Sequence, residues 1–165
     1  MNARKVKNIL VSQPKPNSEK SPYYELAEKY HLEIHFFPFI KVERVSIKEF
    51  RQQKINILDF TALIFTSRTA VDNFFSISEE LKLNIPDSMK YFCISETVAL
   101  YLQKYIVYRK RKIFFSQTGR VEGLNNYFTK HSKEKFLFPV PEEYSNDISN
   151  LLEDKKLNFT KSVMY

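Results

Sequence analysis

Glycine is nearly missing from this sequence. Gly119 and Gly123 are the two glycines in 165 residues, against a usual share of roughly 7%. Walker-type loops and the G-x-G-x-x-G turn need glycine where backbone approaches phosphate closely, so a nucleotide held by a glycine-rich loop is disfavoured. Cysteine occurs once, at Cys93. That excludes an internal disulfide framework and a multi-cysteine metal site within this chain. Cys93 reads instead as a buried strand residue in a reducing compartment. No apolar run approaches the roughly 18–20 residues of a membrane span, and the amino terminus has no apolar signal core. The expectation is a cytoplasmic protein with no membrane partner. There is no low-complexity tract and no strict internal repeat.

What is present argues for a folded chain. Hydrophobic residues make up 43% and aromatics 15%, enough to build a core and to disfavour global disorder. The length allows one domain, or one domain plus part of another. The net charge of +7 favours anionic partners such as nucleic acid, a membrane surface or a small polyanion. Such attraction is screened beyond about 8–10 Å at physiological salt, so it steers without defining a site. The densest cluster, Arg109-Lys-Arg-Lys112, reads as a solvated edge or loop.

Strands and helices alternate along the chain. Asn8–Ser12 reads as a strand, Ser21-Pro22 as a helix start with a capping Ser and Pro at the first helical position, and His31–Phe36 as an alternating strand. These form one βαβ unit of about 42 residues, too small to bury both faces of its own sheet. Ser46-Ile-Lys-Glu49 fits a capping box. Strand Ala62–Phe65 is followed by a helix through Phe75, with a further helical stretch at Glu79–Leu83. Strand Tyr91–Ile94 ends at Ser95 and leads into helix Glu96–Lys104. Strand Ile113–Phe115 leads into a helix from about Val121 to Lys130. Strand Phe136–Phe138 ends at Pro139, Ser145-Asn-Asp147 caps a helix through Leu152, and Phe159–Tyr165 is a last strand. The pattern predicts an α/β fold: a doubly wound parallel sheet with helices on both faces, plus a partial second α/β domain.

Few residues carry an obvious chemistry. His31 and His35 have the spacing of zinc ligands on a helix, but the local pattern is strand and no third ligand is evident, so two exposed strand histidines are expected. The adjacent pairs Glu79-Glu80 and Glu142-Glu143 read as surface charge. Tyr101, Tyr105 and Tyr108, with Arg109–Lys112, could stack and neutralise a single nucleic-acid strand. Their helical spacing is that of a face packed on a sheet, and nucleic acid is not expected as a partner. Most informative is Ala62-Leu-Ile-Phe-Thr-Ser-Arg-Thr-Ala-Val71. Four apolar residues make a buried strand, Thr66 and Ser67 sit at its carboxyl end, and a helix starts at once. Ligands of open α/β sheets collect at that edge. Thr66, Ser67 and Ser95 are helix-cap residues by type. Their recurrence at successive strand ends, beside helix amino termini with free N–H groups, also suits a polycarboxylate.

These residues resemble the uroporphyrinogen-III synthase family. Ile64-Phe-Thr-Ser-Arg-Thr-Ala-Val71 is similar to the family's I-F-T-S-x-x-A-V, and Phe37-Pro-Phe-Ile40 to its apolar stretch entering the linker. Cys93-Ile-Ser-Glu-Thr-Val-Ala-Leu100 resembles A-V-G-x-x-T-A, Glu122-Gly-Leu124 resembles S-E-G-L, and Val163-Met-Tyr165 resembles V-x-Y. The matches follow the family's order along the whole length, ending about two thirds of the way along its usual length. The resemblance implies two α/β domains joined by a two-stranded linker. Residues 1–40 would be the opening of an incomplete first domain, 41–45 a linker strand, 46–161 the complete second domain, and 162–165 the start of the return strand. It also implies the cyclisation of hydroxymethylbilane to uroporphyrinogen III, with inversion of the last pyrrole ring and loss of water, in haem biosynthesis, with no metal or organic cofactor. Tyr165 matches the tyrosine that assists hydroxyl departure, and a phenol is a suitable proton donor. Thr66, Ser67, Ser95, Glu96, Thr97 and Gly123 match the segments that hold the substrate's carboxylates through N–H groups and hydroxyls. The chain departs from the pattern at Ser95, in place of a glycine, and Val98, in place of a threonine. Gln13 replaces an arginine, and Phe138-Pro-Val-Pro141 replaces L-P-R-G and loses a cation. With its first domain incomplete, Phe36, Phe37 and Phe39 are expected to lack cover and to favour a dimer.

Overall fold

The computed structural model describes residues 6–18 and 20–165. The first five residues of the expected opening unit, and residue 19, lie outside the described ones. The chain divides into two compact units, Met1–Glu43 and Arg44–Tyr165.

The first unit is a parallel pair, β1 (Asn8–Val11) and β2 (Glu33–Phe36), connected through helix α1 (Pro22–Tyr30). Ser21 caps α1, its hydroxyl accepting the Tyr23 N–H at 3.4 Å, with Pro22 opening the helix. His31 closes α1 in the left-handed conformation (φ 51°). It is therefore not a strand residue as expected. A helix ending there needs a positive φ so that the His31 N–H can reach back to the last carbonyls, and β2 begins two residues later. His35 does lie on β2, its Nε2 3.2 Å from Asn8 Oδ1. Ile9, Val11, Ile34 and Phe36 are only half-buried, and α1 has no buried residue. Phe36 packs edge-on against Tyr23 at 5.4 Å, so it is partly covered. Phe37 and Phe39 are 62% and 64% exposed. Two strands and one short helix have too little area to bury a core of their own.

The second unit is a five-stranded parallel sheet. Its strands are β3 (Ala62–Phe65), β4 (Lys90–Cys93), β5 (Ile113–Phe115), β6 (Lys135–Val140) and β7 (Asn158–Val163), in the order β5-β4-β3-β6-β7. The helices are α2 (Ile47–Gln52), α3 (Arg68–Glu80), α4 (Glu96–Tyr101), α5 (Asn125–Lys130) and α6 (Asp147–Asp154). Side chains alternate across the sheet, as the two-residue strand period requires. Leu63, Phe65, Tyr91, Cys93 and Leu137 pack with Phe50, Val71, Phe74, Ile77 and Val98 from α2, α3 and α4. Ala62, Ile64, Phe92, Phe136 and Phe138 pack with Phe128, Ile148 and Leu152 from α5 and α6. The chain thus covers one face on its way out to β5 and the other on its way back. This is the doubly wound arrangement with helices on both faces. Phe92 centres the second layer, its ring 4.9–5.6 Å from those of Phe114, Phe128, His131 and Phe136.

Several boundaries differ from those read in the sequence. The expected capping box forms, with Glu49 N–H donating to Ser46 Oγ and Ser46 N–H to the Glu49 carboxylate. α3 runs unbroken to Glu80, because Ile77 and Ser78 continue its buried face and the Ser78 hydroxyl is satisfied by the Phe74 carbonyl at 2.9 Å. The α-helical part of α4 ends at Tyr101, with a 3₁₀ turn at Leu102–Lys104, and a 3₁₀ turn at Val121–Leu124 precedes α5. β6 continues through Pro139 to Val140. The Val140 carbonyl accepts the Met164 N–H on the β7 side, so Pro139 faces the other neighbour. There, pairing with β3 has already stopped at Leu137, and the missing proline N–H breaks no ladder bond. Ser162 and Val163 belong to β7. Residues 41–45 carry no strand: they are charged and exposed for most of their length, and among the described residues their one backbone bond outside the helices runs from Val45 N–H to the Met164 carbonyl at 3.0 Å.

Candidate functional site

Strand order reverses between β3 and β6, and at such a switch point the loops leaving the two strands diverge and open a crevice. A cavity of about 520 Å³ lies there, lined from every strand end of the second unit. Thr66 and Ser67 follow β3, Ile94 follows β4, and Gly119–Glu122 come from the loop after β5. Phe138, Val140, Pro141 and Tyr144 come from the end of β6 and the loop beyond it, Asp147 and Ile148 open α6, and Tyr165 follows β7. The volume is in the roughly 300–1,000 Å³ range of small-molecule sites.

Ser67 is part of this wall. Its backbone is extended (φ −152°, ψ 162°), and its hydroxyl accepts the Ala70 N–H at 3.0 Å, capping α3. The same Oγ lies 3.3 Å from the Tyr165 hydroxyl oxygen. Tyr165 is held by its backbone, the carbonyl accepting the Glu142 N–H at 2.8 Å, and by the fully buried Met164 before it. Two hydroxyls carry two protons. One is used in their mutual contact, leaving one for a ligand in the cavity. The first turn of α3 adds a partial positive charge at the same wall.

The other residues singled out in the sequence are placed differently. Ser95 has almost the same backbone as Ser67 (φ −153°, ψ 162°) and caps α4, accepting the Val98 N–H at 3.4 Å. It sits on the same edge of the sheet but outside the cavity wall, as do the exposed Glu96 and Thr97. Gly123 is also outside it. A Cβ there would lie 2.1 Å from Ser116 Oγ and 2.9 Å from Ser116 Cβ, so glycine lets this turn pack onto the end of β5. Its neighbours Val121 and Glu122 reach the cavity instead. Sequence reasoning missed Arg120, Tyr144 and Asp147. Arg120 is the one cation in the wall among the described residues. The available signal was the rule used for Ser67: residues just after β5 and β6 share that edge.

Outside the cavity wall, α3 and α4 are tied by a polar cluster. Tyr101 donates to Asp72 at 2.9–3.0 Å, Lys104 Nζ at 2.9 Å, and the Tyr105 hydroxyl also donates to it. Burial disfavours the charged form of Asp72, but the bonds from Tyr105, Lys104 and Tyr101 outweigh it and hold the carboxyl below its usual range. Tyr105 is stacked on Phe75 with ring centroids 4.5 Å apart. Tyr101 and Tyr105 are therefore engaged in packing against α3, whereas their spacing had suggested a face packed on the sheet. Lys110–Lys112 form a 3₁₀ turn leading into β5. Among the described residues, no three His, Cys, Asp or Glu side chains are grouped so as to hold a metal ion, and no helix is long and apolar enough to cross a membrane.

Comparison with known proteins gives one consistent picture. A family profile described as uroporphyrinogen-III synthase HemD matches residues 21–165. The structure is similar to a mutant uroporphyrinogen III synthase from Thermus thermophilus, with a TM-score of 0.67 and 13% identity over 96% of this chain and 61% of that one. It is similar to the wild-type enzyme of the same organism with a TM-score of 0.60, 14% identity and coverage of 97% and 61%. It is also similar to uroporphyrinogen-III synthetase from Helicobacter pylori, with a TM-score of 0.55, 19% identity and coverage of 96% and 60%. No curated protein matches by sequence at the significance required. The chain therefore spans about three fifths of the length of the solved proteins it resembles.

Proposed function

The chain belongs to the uroporphyrinogen-III synthase family, and on that premise we propose that its cavity binds a linear tetrapyrrole polycarboxylate and promotes its closure to uroporphyrinogen III. In this reading hydroxymethylbilane loses its terminal hydroxyl to give an azafulvene. The last ring is inverted through a spiro intermediate, and closure completes the net loss of water. Tyr165 donates the proton that the departing hydroxyl takes as water, and the pyrrole N–H proton released as the azafulvene forms restores the phenol. Ser67, beside it, orients the phenol, and Arg120 and the amino end of α3 meet carboxylates of the substrate. Ser95, Glu96 and Thr97 extend the carboxylate-binding edge beyond the cavity. The observation that carries the reading is the 3.3 Å contact between Ser67 Oγ and Tyr165 Oη in the wall of a cavity at the switch point. The test is to supply freshly generated hydroxymethylbilane and separate the product isomers. Isomer III above the spontaneous background is the expected result. Isomer I alone would refute turnover.

A second reading, tetrapyrrole binding without turnover, is favoured by Val140. This residue lines the cavity where the family motif carries an arginine. Heat of uroporphyrin binding in a calorimeter, with isomer I as sole product, would select it over the first.

A further inference from the structure

The segment that delivers Tyr165 to the cavity is gripped from the side by a glutamine. Gln53 follows α2 and is half-buried at the outer edge of β7. Its Nε2 donates to the Val163 carbonyl at 2.7 Å, and the Val163 N–H donates to its Oε1 at 3.0 Å. The Ser162 hydroxyl, fully buried, donates to the same Oε1 at 3.1 Å. A primary amide presents one donor and one acceptor in a plane, as a neighbouring strand would. Here it completes the ladder on the side of β7 where, among the described residues, no sixth strand pairs. In the next residue, Met164, the N–H donates to the Val140 carbonyl and the carbonyl accepts the Val45 N–H. The Gln53 side chain thus holds Val163 at this edge, two residues before Tyr165.

We propose that Gln53 is a positioning residue for Tyr165: its amide acts as a strand surrogate that sets where the phenol meets Ser67. The proposal rests on the reading of Tyr165 given above as the proton donor, and it concerns a side chain outside the cavity wall. Gln53→Leu removes all three bonds with little change of volume. Gln53→Glu keeps the acceptor for the Val163 N–H and the Ser162 hydroxyl but loses the donor to the Val163 carbonyl.

The experiment labels the tyrosine ring carbons of the whole chain and assigns the Tyr165 signal by its loss in Tyr165→Phe. In Gln53→Leu the Tyr165 signal is expected to move or broaden while that of Tyr91, buried in the sheet, stays in place. Gln53→Glu is expected to give an intermediate shift, and it decides the matter if Gln53→Leu disturbs every tyrosine. In the isomer assay, Gln53→Leu lowers the rate of isomer III formation by roughly 10- to 100-fold, the size of effect that a misplaced catalytic group produces. The loss is not additive with that of Tyr165→Phe, because both remove the same positioned phenol. An unmoved Tyr165 signal in both Gln53 variants, or strictly additive losses, would overturn the proposal. If the wild-type chain forms no isomer III, the turnover reading falls, and the tyrosine signals still decide whether Gln53 positions Tyr165.

Discussion

Ser67 and Ser95 form a natural pair of controls, because they cap successive helices with nearly the same backbone angles. Replacing either by alanine removes a cap, at a cost of about 1 kcal/mol. The Ser95 bond is the longer of the two, 3.4 Å against 3.0 Å, so its loss should lie at the low end. Ser67→Ala also removes the contact with Tyr165, worth about 0.5–1.5 kcal/mol for a hydrogen bond of ordinary strength. Ser67→Ala should therefore cost about 1.5–2.5 kcal/mol and Ser95→Ala about 0.5–1 kcal/mol. The difference amounts to a few degrees of Tm for a chain of this size. Urea unfolding followed by circular dichroism measures both. Adding Tyr165→Phe to each variant then isolates the contact. The second substitution should cost less in the Ser67→Ala background than in the Ser95→Ala background, by about 1 kcal/mol. Equal costs for the two serines, with no difference between the two backgrounds, would refute the claim that Ser67 and Tyr165 act as a pair.

Three further predictions concern parts of the fold away from that contact. Gly123→Ala should destabilise by about 1–3 kcal/mol, the usual cost of overpacking. Ser116→Gly should relieve the clash where Ser116→Ala does not, because the Ser116 Cβ alone is 2.9 Å from the added atom; equal unfolding midpoints for Gly123→Ala and wild type would contradict this. His131 is held below its ordinary 6.5 chiefly by burial, then by Lys90. A depressed value favours the neutral form, so this stability is present above pH 6.5 and is lost as the pH falls through the folded value. Asp72, also depressed, adds a loss of the same sign, present above its ordinary 3.8 and lost further into acid. The wild-type midpoint should decline on acidification from pH 6.5, and His131→Gln should flatten the upper part of that decline; a slope unchanged in the variant would count against it. Burial pushes the Cys93 thiol up to about 12, so a thiol reagent at pH 8 should react with the unfolded chain and only very slowly with the native one, as followed by absorbance.

Much of this architecture was legible because its signals are local. Ala62–Phe65 is an apolar run bounded by two hydroxyl residues, which marks a buried strand and the start of a helix at once. The Ser46–Glu49 and Ser21–Pro22 starts depend on residues within one turn, and each formed as read. The misreadings share a different cause. Pro139 ended a strand on paper, but whether a missing N–H matters depends on where β3 stops, which is a property of the sheet. His31 fitted an alternating pattern that a left-handed helix end overrode. Gly123 matched a motif, yet what requires glycine there is Ser116, adjacent in space and seven residues away in sequence. Arg120 and Tyr144 reach the cavity on irregular loops that have no period to read. Gln53 was invisible for the same reason: nothing in residues 50–56 signals a partner at Ser162 and Val163.

Uroporphyrin, a stable polycarboxylate macrocycle, can be titrated into the labelled protein while amide signals are followed residue by residue, and this tests most directly whether the carboxyl edge of the sheet is the binding site. The account predicts saturable shifts at Thr66, Ser67, Arg120, Tyr144 and Tyr165, around the cavity between β3 and β6. Shifts confined to the basic run Arg109–Lys112, which enters β5 from its opposite end, would contradict it and leave charge alone as the explanation for binding.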